Sequence, residues 1–163
     1  SIEDLLDAMA EATAAAPLVT IEAAEIHADW LDSRAADFDK RVRARILRGR
    51  DVPAPVYLRM IRRRADLIRA MAESRAPLHC LALPATAVTA PPIAPLEADD
   101  DLFARTNMLM LRNTTMGNLF DLTAVSLPMP GLTRPAGLML CGAPGTDPRL
   151  LAIAAAVEAE LAR

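Results

Sequence analysis

Three short, largely apolar runs in the second half of the chain, at residues 78–83, 124–127 and 137–141, are each cut off by a proline or a glycine. They are too short for helices, and they lack the apolar–polar alternation of a half-buried strand. They therefore read as strands buried on both faces, which asks for parallel neighbours with helices above and below. Three such strands make a small sheet with two open edges. Buried edges with unpaired N–H and C=O groups are costly, so the sheet is expected to continue in polypeptide outside these residues. The predicted fold class is α/β: a partial α/β/α sandwich, helical over 1–76, with short buried strands of a mixed sheet and a C-terminal helix over 77–163.

The helical half is marked by caps and stripes. Ser1 with Asp4, followed by Ile2, Leu5, Leu6 and Met9, has the spacing of a capped helix start, and Pro17 closes that segment. Thr20 is the predicted cap of a second helix through residue 35. Residues 37–48 continue as helix, with Gly49 as its C-terminal stop. Pro53 and Pro55 open a long helix to about residue 74, whose stripe is Tyr57, Met60, Ile61, Leu67, Ile68 and Met71. After it, Pro91, Pro92 and Pro95 predict a rigid connection that cannot be strand. Asp99, Asp100 and Asp101 start a helix through residue 112, acids at its positive end, and a separate short turn covers 114–120. Asp147 and Pro148 open the last helix, with Leu150, Ile153, Ala154, Val157 and Leu161 on its apolar face.

Charge is segregated along the chain although the total is only −3. Residues 1–33 hold eight acids and no base, residues 34–75 thirteen bases and five acids, and residues 76–163 eight acids and five bases. The total is too balanced to announce a nucleic-acid partner, and the arginine-rich stretch lacks the interleaved aromatics that stack bases. No apolar run approaches the roughly 18 residues of a membrane helix, and there is no basic-then-apolar leader. Cys80 and Cys141 lie in apolar runs and read as reduced packing residues, not a disulfide framework. A cytoplasmic protein is the expectation, with neither nucleic acid nor membrane as partner; a homodimer is compatible with it.

Within the 163 residues no self-sufficient catalytic site is legible. A serine or cysteine nucleophile needs a base and an oxyanion cradle, and no Gly-x-Ser-x-Gly is present. Ser1 is best read as a helix cap. His27, His79, Cys80 and Cys141 lack metal-ligand spacing, and the glycines of 131–145 fit neither Walker nor Rossmann patterns, so no metal and no cofactor is expected. Lysine chemistry has a single candidate, Lys40.

From residue 82 onward the order of motifs is informative. Leu83, Pro84, Thr86, Ala90, Pro91, Pro92 and Ile93 resemble the strand-end segment of the amidase signature family. Arg112, Asn113, Thr114 and Asn118, leading into Ala124, Ser126, Leu127 and Pro128, are similar to that family's run from an asparagine-bearing helix into P-A-x-S-L-P. Gly131 and then Gly137, Leu138, Leu140 and Gly142 resemble its G-L-P-V-G-L-Q-L-x-G strand, departing at Pro135 and Ala136. Asp147, Leu150, Leu151 and Glu158 match its closing helix, and Glu22, His27, Val42, Ile46 and Gly49 its helical stretch upstream. The resemblance covers 20–163. It implies that the chain is the C-terminal part of a larger amidase domain hydrolysing a carboxamide C–N bond of a small-molecule amide. The family uses a nucleophilic serine, a second serine in a cis peptide and a lysine base. All three belong to its N-terminal half, the expected partner of this segment. None transfers onto this chain, Lys40 included. What the resemblance does offer is pocket wall: His27 beside Trp30, and Arg112 and Asn113 at a helix end before a buried strand, are the candidate substrate-binding residues, while Ser126 is read as a buried hydroxyl bonded to backbone. The alternative is a non-catalytic, standalone scaffold or interaction domain that reuses this architecture.

Overall fold

Ser1 Oγ accepts the Asp4 amide and the Ser1 amino group donates to the Asp4 carboxylate, the capping box that its spacing predicts, and helix α1 (Ile2–Ala12) follows. The computed structural model describes residues 1–163 and divides into two units, 1–67 and 68–163.

In the first unit the predicted helix over 20–35 is broken. Pro17 stands at the N-cap of α2 (Leu18–Ile26), and Thr20 is not a cap but a buried residue inside that helix. His27 ends α2 and starts α3 (Ala28–Ser33): its N–H donates to the Ala23 carbonyl while its own carbonyl accepts from Trp30 and Leu31. A turn of 3-10 helix (Ala35–Asp37) leads to α4 (Lys40–Arg50), which Asp39 caps by accepting the amides of Arg41 and Val42. Leu31, Ala24 and Ile46 form the core of these helices, with Phe38 and Leu47 packed against it.

Gly49 is not the predicted stop. It lies inside α4, buried, because α2 and α4 approach so closely there that a Cβ would fall on the Thr20 carbonyl and the Ile21 amide. The segregated charges meet inside this unit as well. Asp32 accepts from Arg43 at 3.2 Å and from Arg50 at 2.9 Å, and Glu22 accepts the Tyr57 hydroxyl at 3.1 Å. Exposed pairs of this kind are worth little individually, but they account for where part of the basic run goes.

Helix α5 (Ala54–Arg75) carries the chain into the second unit. There β1 (Leu81–Pro84) is followed by α6 (Ile93–Ala98), in the stretch expected to be a rigid connection. Pro92 supplies the fixed φ of an N-cap, so the prolines start a short helix as well as excluding strand. Asp99 accepts the Leu102 amide and caps α7 (Asp100–Leu119), one continuous helix where two were expected. It ends in a Schellman motif: Leu122 N–H donates to the Gly117 carbonyl, and Asp121 takes the left-handed φ of 58° usually given to glycine.

The strands β1, β2 (Thr123–Pro128) and β3 (Gly137–Gly142) form one sheet in the order β1-β3-β2. Both pairings are antiparallel, with Leu83 opposite Met139 and Val125 opposite Leu140, which corrects the expectation of parallel neighbours among these strands. The reason is visible in β2, which alternates: Val125 and Leu127 point inward, while Ala124, Ser126 and Pro128 are exposed. Small residues on the outward face hid that alternation. Only β3, the central strand, is buried along four consecutive residues, Met139, Leu140, Cys141 and Gly142. Helix α8 (Asp147–Leu161), with Pro148 in its first turn, packs Leu150 and Ala154 onto Leu127 and Leu140. Ile153, Val157 and Leu161 flank that core, as the stripe predicts. No helix is long and apolar enough to cross a membrane.

Candidate functional site

Arg112 and Asn113 lie well inside α7, not at a helix end as expected. Their work is visible in two hydrogen bonds. Asn113 Nδ2 donates to the Pro84 carbonyl at 2.8 Å, and Arg112 Nε donates to Asn113 Oδ1 at 3.2 Å. The arginine thus holds the amide in the orientation that grips the end of β1. The carbonyl that Asn113 reaches belongs to the last residue of a strand, where the sheet ladder stops and backbone groups need other partners.

The loop after that strand is fixed from both sides. Ala85 N–H donates to the Gly137 carbonyl at 2.8 Å, and Thr86 Oγ1 donates to the Val88 carbonyl at 2.9 Å. Arg112, Asn113, Pro84 and Thr86 therefore form a braced wall at the C-terminal end of β1. Arg112 is exposed and keeps two terminal nitrogens beyond its bond to Asn113, the geometry with which a guanidinium grips a carboxyl or carbonyl group. Ser126, predicted to be buried, is instead exposed on β2.

His27 belongs to the first unit. Its ring lies 6.0 Å from Trp30, and 6.0 Å from Phe38 edge-on, and its Nδ1 is buried with no hydrogen-bond partner. Trp30 is half-exposed and carries the Arg34 guanidinium 5.5 Å above its ring. A buried ring nitrogen without a partner is uncommon in a merely structural histidine, which normally satisfies both nitrogens.

Sequence reasoning missed a second polar constellation. Arg149 Nη2 donates to His79 Nδ1 at 2.8 Å, joining residues 70 positions apart, and Arg75 lines the same small cavity with its Nε buried and unpartnered. No local motif could have announced a contact across that separation. Neither constellation pairs a nucleophile with a base. Cys141 is fully buried, and burial, with Cys80 nearby, pushes its thiol up, away from the reactive thiolate. No three side chains among His, Cys, Asp and Glu converge as metal ligands.

Residues 3–151 match the family model described as Amidase. The chain belongs to the amidase family. Among solved structures, a crystal structure of an amidase is 25% identical with a TM-score of 0.74, over 88% of this chain and 34% of that one. A 6-aminohexanoate cyclic dimer hydrolase, solved with its substrate, is 21% identical with a TM-score of 0.64, over 78% of this chain and 30% of that one. A serine-to-alanine variant of Kluyveromyces lactis allophanate hydrolase is 19% identical with a TM-score of 0.63, over 83% of this chain and 24% of that one. The chain thus spans about a third, or less, of these solved structures. No curated protein matches it significantly.

Proposed function

We propose that this chain is the C-terminal portion of an amidase that hydrolyses a carboxamide C–N bond in the cytoplasm, and that the nucleophilic serine and its lysine base come from an N-terminal portion outside residues 1–163. The match to the amidase family over 3–151 carries this reading. It is supported by the sheet order β1-β3-β2, which leaves β1 and β2 as edges on which further strands can add. It is supported too by the lack of any nucleophile–base pair in the two polar constellations.

In this reading the chain builds pocket and scaffold. Arg112, steadied by Asn113, presents its guanidinium where an acyl oxygen or carboxylate of the substrate is held. In the first unit, taken by itself, the His27 ring beside the aromatic faces of Trp30 and Phe38 is a separate candidate contact for an apolar group. The metal-free chemistry of a serine nucleophile asks these residues only to bind and orient.

A serine-directed fluorophosphonate, applied to the natural protein and mapped by peptide mass spectrometry, tests the assignment. The label is expected on a serine outside residues 1–163, with amide turnover lost in proportion to labelling. A natural chain that starts within a few residues of Ser1, co-purifies with no complementary polypeptide and turns over no amide would overturn it in favour of a non-catalytic scaffold.

A further inference from the structure

A cavity of about 20 Å³ opens between the end of α5, the end of β3 and the start of α8. Arg75, His79 and Arg149 line it together with Gly142, Ala143 and Thr146, and no acidic side chain does. Two guanidiniums on one small cavity with no counter-charge is an arrangement that repels cations and asks for an anion.

Three features of the lining point the same way. The Arg75 Nε–H is buried without a partner. Guanidinium can only donate, so the 2.8 Å contact from Arg149 makes His79 Nδ1 the acceptor and leaves the imidazole proton on Nε2, a further donor. Thr146 turns its hydroxyl back onto the Ala143 carbonyl at 2.7 Å, so α8 begins with no side-chain cap and its first-turn amides stay uncapped from that side. Gly142 keeps the wall open: a Cβ there would lie 3.0 Å from Thr146 Oγ1 and 3.2 Å from the Thr123 methyl.

The volume narrows the choice of anion. One water needs about 10–15 Å³, so the cavity itself takes a single small polar group, such as the edge of a planar carboxylate. We propose that this cavity is a carboxylate-binding site, with the Arg75 Nε–H donating to one oxygen and Arg149 supplying the second cationic contact. The carboxylate is either that of a small organic acid or an Asp or Glu side chain of polypeptide outside residues 1–163. The site is separate from the Arg112–Asn113 wall, and the proposal stands whether or not the protein hydrolyses amides.

Arginine Nε–H resonances of the complete protein test it, with Arg75 assigned by its disappearance in Arg75→Lys, which keeps the charge. A resonance that is downfield and protected from exchange before anything is added identifies a carboxylate supplied by the protein itself. A resonance in fast exchange that acetate shifts saturably at constant ionic strength, with affinity about tenfold weaker in Arg149→Gln, identifies a free acid. An unprotected resonance that acetate leaves unmoved, or one that chloride or inorganic phosphate moves as well as acetate does, overturns the proposal.

Discussion

At the scale of single residues, the chain shows how far identity alone can be read. Gly49 follows an apolar stripe and looks like a helix stop, yet it is the contact point of two helices, and only the position of Thr20 reveals this. Replacing it with alanine should gain up to about 1 kcal/mol of helix propensity and lose more to a Cβ driven into backbone that cannot yield. The expected net effect of Gly49→Ala is a loss of about 2 kcal/mol in urea unfolding; an unchanged midpoint would mean that the helices do not approach so closely. The cysteines behave as their runs suggest, both as free thiols. Cys141 is inaccessible and its thiol is pushed up by burial, whereas Cys80 is partly exposed. Iodoacetamide at mildly alkaline pH is expected to alkylate Cys80 in the native protein and Cys141 only after denaturation, read by mass spectrometry. Arg75 and Arg149 were indistinguishable from the fifteen other arginines until the fold placed them on one cavity.

At the scale of elements, several starts and stripes were legible, while the start of α2 at Pro17, the short α6 and the interruptions were not. The capping box of α1, the proline entry to α5, the acidic start of α7 and the apolar face of α8 follow from local chemistry and appear as expected. The break at His27 and the continuity of α7 through Asn113 depend on what packs beside them. Between elements, the Tyr57 hydroxyl ties α5 to Glu22 on α2. That bond, then desolvation and the Glu22 charge, raise the phenol above its ordinary 10.0. Because the folded form holds this proton more tightly, the contribution is complete below the ordinary phenol range and is lost as pH rises through the raised value. Absorbance at 295 nm should therefore report a tyrosine that ionises late, and Glu22→Gln should bring it back toward 10; a midpoint at the ordinary value in the parent protein would show that the bond is absent in solution.

For the whole molecule, a small sheet of three strands was legible from the strand count, while strand direction was not, since β2 hides its alternation behind Ala124 and Ser126. Those exposed positions discriminate between a segment and a self-sufficient protein. Ala124→Arg is expected to leave the unfolding midpoint of residues 1–163 within about 0.5 kcal/mol, as surface changes do. If residues 1–163 belong to a longer amidase, as proposed above, a larger sandwich covers this face and the same change should abolish its amide turnover; full activity in that variant would count against the proposal. The strand order also fixes a sequence of events during synthesis. β1 and β2 share no ladder and must both wait for β3, the last of these three strands to leave the ribosome, with Leu81 emerging 60 residues before its partner Cys141. A nascent chain interrupted between residues 128 and 137 holds two strands that both lack the β3 partner between them, so that interval is where a chaperone would be needed most.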